Sequence, residues 1–213
     1  MCWNAPVSII TWVTSIIGAG LLIKRGTRTD IWNALFVLTF SSIQLLEFFM
    51  WIDQSCSGIN QIATKIALVV LWLQPLSQCI GWLYASNDKK YVNYILIPIV
   101  TYSLCALYTM IRVIKAGDTC SKPAKCFSLH WNFNKASSLS PTTGNWKACI
   151  LYGIGMLGPI FFQKPITRRV TLIIVNVVSL LLLCLYYWPK GESVSSMWCF
   201  TSNVYVWLAY FIK

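Results

Sequence analysis

Charged residues are scarce in this sequence, and acidic residues are the scarcest of them. Of 213 residues, 6 are Asp or Glu and 17 are Lys or Arg, so 11% of the chain is charged while 57% is hydrophobic. A soluble domain of this size needs a charged shell, and about 25% charged residues is usual. The composition therefore excludes an ordinary soluble domain and indicates a protein embedded in a membrane.

Residue types that carry catalysis or bind metals are also missing. His130 is the single histidine, and the nine cysteines include no C-x-x-C spacing, so we expect no metal site. The stretch "GIGMLG" at 153–158 has the G-x-G-x-x-G spacing of a dinucleotide site, but it follows no strand and no acid comes about twenty residues later. We predict no cofactor and no enzymatic activity. Gly153, Gly155 and Gly158 are instead expected to let helices approach closely.

Long apolar runs are what the sequence has in abundance. Seven can be marked, at 6–23, 31–52, 61–84, 91–114, 148–163, 170–188 and 194–212. Most reach the ~20 residues with which a helix crosses a ~30 Å hydrocarbon layer, and Asn4 is expected to cap the first helix. They lack the alternation of barrel strands. The sequence predicts an all-α fold, a single integral membrane domain over 1–213 with seven transmembrane helices and an outer loop at 115–146.

Basic residues in alternate short loops predict the orientation of the chain. They are Lys24, Arg25 and Arg28 in the first loop, Lys89 and Lys90 in the third, and Lys164, Arg168 and Arg169 in the fifth. The positive-inside rule then places the N-terminus outside and the C-terminus inside. The long fourth loop is also basic and argues the other way, but long loops weigh less. The net charge of +11 thus indicates contact with anionic head groups on the inner side, and no nucleic-acid partner is expected.

The predicted topology places six cysteines at or near the outer surface: Cys2, Cys56, Cys120, Cys126, Cys149 and Cys199. In an oxidising exterior, disulfides would connect the long loop to the second loop or to the N-terminus. The alternative is that these cysteines stay reduced. Within the long loop, "CFSLHWNF" alternates between apolar and polar residues, which is typical of a strand. We expect a short β-hairpin over the bundle mouth or on the head groups, with His130 at its surface.

One carboxylate interrupts an otherwise apolar run, Glu47 in "SSIQLLEFFMWID" at 41–53. It lies five residues from the predicted outer end of the second helix, which is roughly 8 Å at 1.5 Å per residue. Charged residues in membrane spans are costly and tend to face the protein interior. We therefore predict a ligand or ion pocket formed by Glu47, Gln44, Trp51, Lys65, Gln74, Gln78 and Asn203. Two alternatives remain: Lys65 forms an ion pair with Glu47 or extends to the head groups, and the amides form only interhelical hydrogen bonds.

Four stretches together resemble an uncharacterised family of polytopic membrane proteins of large DNA viruses of algae and protists, with distant bacterial relatives. They are "MCWNAPVS", "QLLEFFMWID", "LWLQP" and "SMWCFTSN". The matching residues are Cys2, Trp3, Ser8, Gln44, Glu47, Trp51, Gln74, Pro75, Trp198, Cys199 and Asn203. The resemblance implies a viral origin and no particular activity.

Three hypotheses for function follow. The first is an integral membrane protein whose intramembrane polar pocket near the outer face binds or conducts a small ligand, a proton or a cation. The second is a structural protein of a virion, plasma or host internal membrane, held together by an internal ion pair and disulfides. The third is a seven-helix receptor, against which the sequence after the third run, "ASNDKKY", lacks the acidic-Arg-Tyr signature of G-protein-coupled receptors.

Overall fold

A computed structural model of the protein describes residues 4–86, 92–117, 119–123, 129–131, 146–187 and 202–212. In these ranges the chain is helical apart from short connections and one small sheet. The helices are α1 (Ala5–Arg25), α2 (Arg28–Ile52), α3 (Ile59–Ala85), α4 (Val92–Lys115), α5 (Trp146–Leu157), a 3₁₀ helix (Gly158–Phe162), α6 (Ile166–Tyr187) and α7 (Ser202–Phe211). The strands are β1 (Lys122–Pro123) and β2 (Leu129–His130).

Five of these helices, α1 to α4 and α6, are long and apolar enough to cross a membrane. The fifth predicted span is helical but is not among these five, because α5 ends at Leu157 and continues only to Phe162, as a 3₁₀ helix with Pro159 in its first turn. The described part of the seventh predicted span is α7, which has 10 residues. The protein is therefore a helical membrane protein with several candidate spans, while the count of seven and the orientation stay predictions.

Local signals at the helix ends explain how α1 and α2 form an antiparallel pair. The Asn4 side chain accepts a hydrogen bond from the backbone N–H of Val7 at 3.0 Å and so caps α1. Gly26 ends the helix in the left-handed conformation, with φ of 75°, which a residue without Cβ adopts at little cost. Thr27 then caps α2 by accepting from the N–H of Asp30 at 3.1 Å. Two residues thus reverse the chain direction.

Helix α2 lies at the centre of the bundle, where it packs against α1, α3 and α7. Its large side chains Trp32, Phe36, Phe40 and Ile43 are at most 1% exposed. In contrast, α4 and α6 direct apolar residues outward, for example Leu185, which is 74% exposed. Long outward-facing apolar surfaces are expected where acyl chains provide the solvent.

Two glycines permit close contacts that a Cβ atom would block. A Cβ at Gly155 would overlap the ring of Tyr102 and lie 2.5 Å from Cβ of Pro75, so α5 approaches α3 and α4 closely there. A Cβ at Gly81 would lie 2.6 Å from Cγ of Trp32. At Gly153 and Gly158 a Cβ would have no neighbour among the described residues within 4 Å. The expectation of close approach was therefore right for Gly155 and wrong for the other two.

The long loop is attached to the start of α3 by a disulfide and a buried asparagine. Cys56 and Cys120 form the disulfide, with their Cα atoms 6.0 Å apart. Asn60 donates to the carbonyls of Met50 and Ser121, both at 2.9 Å, and accepts from the Ser121 N–H at 2.9 Å. We call Cys56, Asn60, Cys120 and Ser121 the loop clamp. The prediction of a disulfide between the second loop and the long loop is confirmed.

Of the other four cysteines predicted near the outer surface, one lies within the described residues. Cys149 is an exposed thiol on α5 and not half of a disulfide. Cys2, Cys126 and Cys199 lie outside the described residues.

The small sheet accounts for part of the predicted hairpin. Its strands are antiparallel, with Lys122 opposite His130 and Pro123 opposite Leu129. Leu129 and Trp131 are buried at 0% and 3% exposure while His130 is exposed, so the apolar face of β2 lies on the bundle as the alternation predicted. The outer halves of the motif, 126–128 and 132–133, lie outside the described residues.

Asp53 organises the turn that leads into α3. Its carboxylate accepts hydrogen bonds from the backbone N–H groups of Asn60 at 2.9 Å and Ser57 at 3.0 Å. Because these bonds stabilise the ionised form, first of all the bond from Asn60, they hold the pKa of Asp53 well below its usual range.

Removing the disulfide should destabilise the protein. Because 64 residues separate Cys56 from Cys120, the cross-link restricts a long loop in the unfolded chain, and we expect Cys56→Ser with Cys120→Ser to lower the free energy of unfolding by about 3–4 kcal/mol. Denaturation in mixed micelles measures this. Cys149→Ser is the control and should change the free energy by less than about 0.5 kcal/mol. Equal effects in the two variants would contradict a native disulfide at this position.

The hydrogen bonds of Asp53 predict a pH dependence. Its folded-state pKa lies below the unfolded value of about 3.9, so the carboxylate contributes stability above that value and loses the contribution as pH falls toward the folded pKa. The difference in unfolding free energy between wild type and Asp53→Asn should be constant from pH 7 to about 5 and should shrink below about pH 4. A difference that stays constant down to pH 3 would show that the ionised carboxylate is not what stabilises this turn.

Candidate functional site

Glu47 lies on the buried side of α2, in the half of the helix that leads to the loop clamp. It is 0% exposed, as is Gln44 one turn earlier, and the Gln44 amide donates to the Glu47 carboxylate with an Nε2–Oε2 distance of 2.9 Å. Because α2 is surrounded by α1, α3 and α7, both side chains face protein and not lipid. This is the usual arrangement for an ionisable residue in a membrane span.

Two more polar side chains of α2 flank this pair at helical spacing. Ser41 precedes Gln44 by three residues, and Trp51 follows Glu47 by four. Ser41 Oγ and Trp51 Nε1 are buried and have no hydrogen-bond partner among the described residues. A buried donor without an acceptor costs about 1–3 kcal/mol, so core packing alone does not account for these groups. We call Ser41, Gln44, Glu47 and Trp51 the α2 polar stripe.

Lys65 contacts the end of α4 instead of forming an ion pair with Glu47, which was one of the expected alternatives. Its Nζ donates to the carbonyl of Ala116 at 3.0 Å, just beyond the last residue of α4. Carbonyls at a helix C-terminus lack intrahelical donors, and a cation is favoured there. Both ion pairs of the described residues involve Asp30 instead. Lys65 therefore fixes the end of α4, and the expected ion pair between these two described residues, Glu47 and Lys65, does not form.

Gln74 on α3 faces α5. Its Oε1 accepts a hydrogen bond from the hydroxyl of Tyr152, while its Nε2 is buried without a partner among the described residues. The ring of Trp72 lies beside it between Tyr102 and Tyr152, with both centroid distances 6.3 Å. Trp72 Nε1 is also buried without a described partner. Gln74 and Trp72 thus both contact Tyr152 of α5.

Gln78 connects α3 to α2 and α5. Its Oε1 accepts from Trp32 Nε1 at 2.8 Å, and its Nε2 donates to the Met156 carbonyl at 3.3 Å. Asn203 lies elsewhere, on α7, where it accepts from Thr14 and Ser15 of α1 at 2.6 and 3.0 Å. The predicted pocket residues are thus distributed over several positions in the bundle. The bonds of Gln78 and Asn203 are interhelical, as the alternative hypothesis expected.

A buried network that the sequence reasoning missed joins α2, α7 and the segment before α6. The Tyr205 hydroxyl donates to Asn33 Oδ1 at 2.7 Å, and Gln163 Nε2 donates to the same oxygen at 2.8 Å. All three residues are at most 1% exposed. The sequence does indicate that Asn33 faces the interior. It lies eleven residues before Gln44, three helical turns along the same face of α2.

A cluster of charged side chains lies in the described part of the bundle interior around Asp30, which is 0% exposed. Arg25 donates to both carboxylate oxygens, at 2.7 and 2.5 Å, and Arg168 donates to Oδ1 at 3.1 Å. The two guanidinium groups also donate to carbonyls at the end of α7 and just beyond it. Their acceptors are Ala209 at 3.0 Å and Tyr210 at 2.5 Å for Arg25, and Ile212 at 2.7 and 2.9 Å for Arg168.

This Asp30 cluster, made of Arg25, Asp30 and Arg168, holds four helices together. A buried carboxylate is tolerated only with such compensation, and the open carbonyls at the end of α7 supply the remaining acceptors for the arginines. The sequence reasoning assigned both arginines to the positive-inside signal. It missed the cluster because residues 30 and 168 are distant in sequence.

Comparison with known proteins identifies a distant relative. The chain is 24% identical over 232 aligned positions to an uncharacterised protein of Acanthamoeba polyphaga mimivirus, and the alignment covers 96% of this chain and 92% of that protein. No protein-family profile and no solved structure matches the chain. The similarity agrees with the expected resemblance to proteins of large DNA viruses and carries no activity with it.

Arg168 and its neighbour Arg169 provide a matched test of the Asp30 cluster. Arg168→Gln removes one cation from a buried carboxylate and the donors to the Ile212 carbonyl, so we expect the free energy of unfolding to fall by about 3 kcal/mol. The Arg169 guanidinium donates to the Phe161 carbonyl at 2.7 Å in an exposed position, so Arg169→Gln should cost less than about 1 kcal/mol. Denaturation of both variants in the same detergent measures the difference. Similar losses would mean that the cluster does not stabilise the bundle.

Proposed function

We propose that the protein is a multi-pass membrane protein that binds a proton or a small cation at Glu47 and conducts it through the bundle. The observation that carries the proposal is the fully buried Glu47 carboxylate, held by the Gln44 amide at 2.9 Å. Two buried donors without described partners flank this pair, on Ser41 one turn before Gln44 and on Trp51 one turn after Glu47.

The chemistry of a buried carboxylate supports this choice of ligand. An ionised carboxylate away from water is strongly unfavourable unless it is protonated or neutralised. Its two oxygens act only as acceptors when ionised, and the Gln44 amide donates to Oε2. Carboxylate and amide oxygens are also the ligands that hard cations prefer. A proton or an alkali or alkaline-earth cation therefore fits this site better than an anion or an apolar ligand.

Polar groups continue along the bundle toward Asp30, which supports conduction. Asp30 and Glu47 are 17 residues apart on one helix, about 26 Å at 1.5 Å per residue. Between them lie the hydroxyl contact of Thr39 with Ser77 at 2.6 Å and the network of Asn33, Gln163 and Tyr205. Side chains that donate and accept at successive levels can pass a proton, and amides and hydroxyls can replace part of a cation's hydration shell.

A second candidate function is structural, in the membrane of a virion or of an infected cell. The loop clamp at one end of α2 and the Asp30 cluster at the other favour it, because both tie distant parts of the chain together. Under this alternative the Glu47–Gln44 bond only holds α2 in register with its neighbours. None of the contacts among the described residues favours the receptor hypothesis over these two.

Flux through liposomes containing the purified protein separates the two candidates. For conduction we expect proton or cation flux that falls at least tenfold in Glu47→Gln and is partly retained in Glu47→Asp, which keeps the carboxylate. Asp53→Asn is the control, since it removes an acid outside the spans and should leave the flux per folded protein unchanged. Equal flux in wild type and Glu47→Gln, with only the unfolding temperature altered, would reject conduction and leave the structural role.

A further inference from the structure

An open pocket of about 700 Å³ lies beside the Asp30 cluster, at the opposite end of α2 from the loop clamp. Its lining residues are Arg25, Thr27, Thr29, Asp30, Lys164, Pro165, Ile166 and Arg168. Sites for small molecules and cofactors usually measure about 300–1,000 Å³. The pocket lies where α1 ends and where α2 and α6 begin, and all three helices are candidate membrane spans.

The pocket carries an excess of positive charge. Three cationic side chains line it, together with one carboxylate, Asp30. Asp30 is contacted by both arginines, whereas Lys164 is exposed and forms no ion pair within the described residues. The ammonium of Lys164 is therefore available to an anion, and the field of Arg25 and Arg168 adds to its attraction.

Neutral donors and a helix terminus surround the same space. Thr27 Oγ1 accepts from the Asp30 N–H, which leaves the hydroxyl proton of Thr27 to donate. The hydroxyl of Thr29 has no hydrogen bond in the described part of the chain and also lines the pocket. The 25-residue helix α2 begins there, and the N-terminus of a helix favours negative charge. Phosphate oxygens accept hydrogen bonds from this combination of an ammonium and hydroxyl groups.

The lining also includes an exposed apolar residue. Ile166 lines the pocket and is 62% exposed, and Phe161 and Phe162, five and four residues before it in the chain, are each 52% exposed. A soluble phosphate compound gains nothing from these side chains. A phospholipid does, because its acyl chains lie against the apolar surface while its head group reaches the cations.

We propose that this pocket binds the head group of an anionic phospholipid. Lys164 Nζ and the hydroxyls of Thr27 and Thr29 contact the phosphate, and Ile166 and Phe162 contact the start of an acyl chain. The predicted orientation places the pocket at the inner face, where anionic lipids concentrate. The cavity, its charge and its exposed apolar residue carry the proposal, which is independent of any ion binding at Glu47.

Titration of the purified full-length protein in detergent tests the site, with dioctanoyl phosphatidylglycerol, dioctanoyl phosphatidylcholine and inorganic phosphate as separate probes. The apparent Kd is read from the shift of the unfolding temperature. Wild type should bind phosphatidylglycerol more tightly than the other two. Lys164→Gln should weaken that binding about fivefold, the effect of one basic residue near an anionic lipid surface. Lys24→Gln, an equal charge change at the same end but outside the pocket, should stay within about twofold.

Each of three results would overturn the proposal. Equal losses in Lys164→Gln and Lys24→Gln would show diffuse charge attraction without a site. Equal stabilisation by inorganic phosphate would show that the acyl chain contributes nothing and that a soluble anion is bound. Equal affinity for phosphatidylcholine would show that net negative charge is not recognised. Because Lys164 is exposed, its variant should unfold at the wild-type temperature when no lipid is present, and this comparison separates lost binding from lost folding.

Discussion

The cost of burying polar groups along α2 is the constraint on which the rest of the structure depends. From Asp30 to Glu47 this helix directs carboxyl, amide and hydroxyl groups into the bundle interior, beside large aromatic and aliphatic side chains. Each such group must find a partner there, because neither water nor lipid can supply one. The neighbouring helices are placed so that most of these partners exist.

The two ends of α2 meet this constraint differently. At Asp30 the partners are guanidinium groups, which also donate to carbonyls at the end of α7 and just beyond it. A single buried charge therefore fixes α1, α2, α6 and α7 together. At the other end the partners are backbone groups, held by Asn60 and Asp53 around the Cys56–Cys120 disulfide. The middle of the helix uses neutral amides and hydroxyls. A bundle with both ends secured can hold the Ser41 and Trp51 donors, which have no partner among the described residues, between them.

The sequence predicted those features that depend on local pattern. Apolar run length gave the helices to within a few residues for α1 to α4, the alternation around His130 gave the small sheet, and Asn4 was expected as a cap. Burial of Glu47 followed from the cost of an exposed charge in lipid. A disulfide between the long loop and another outer segment was predicted, but which two cysteines pair depends on the position of the loop in three dimensions.

Features that depend on which distant residues meet could not be read from the pattern. Lys65 was expected near Glu47 because both lie close to one loop, but the acceptor at the end of α4 was not visible in sequence. The sequence indicates only that Arg25 and Arg168 flank membrane spans, whereas in the structure both form ion pairs with Asp30. The amides of Gln74, Gln78 and Asn203 share a chemistry but not a set of partners: Gln74 contacts α5, Gln78 contacts α2 and α5, and Asn203 contacts α1. Spacing identifies a polar face, and only packing decides what that face contacts.

The proposed function requires that the buried Glu47 carboxyl group binds and releases a proton or a small cation. Infrared difference spectroscopy of the protein in lipid, recorded on a step of pH or of cation concentration, observes that carboxyl directly. We predict a carbonyl band of a protonated carboxyl that changes with the step and is missing from the Glu47→Gln spectrum. If the wild-type and Glu47→Gln difference spectra are identical around this carbonyl band, Glu47 binds neither a proton nor a cation, and the proposed function is wrong.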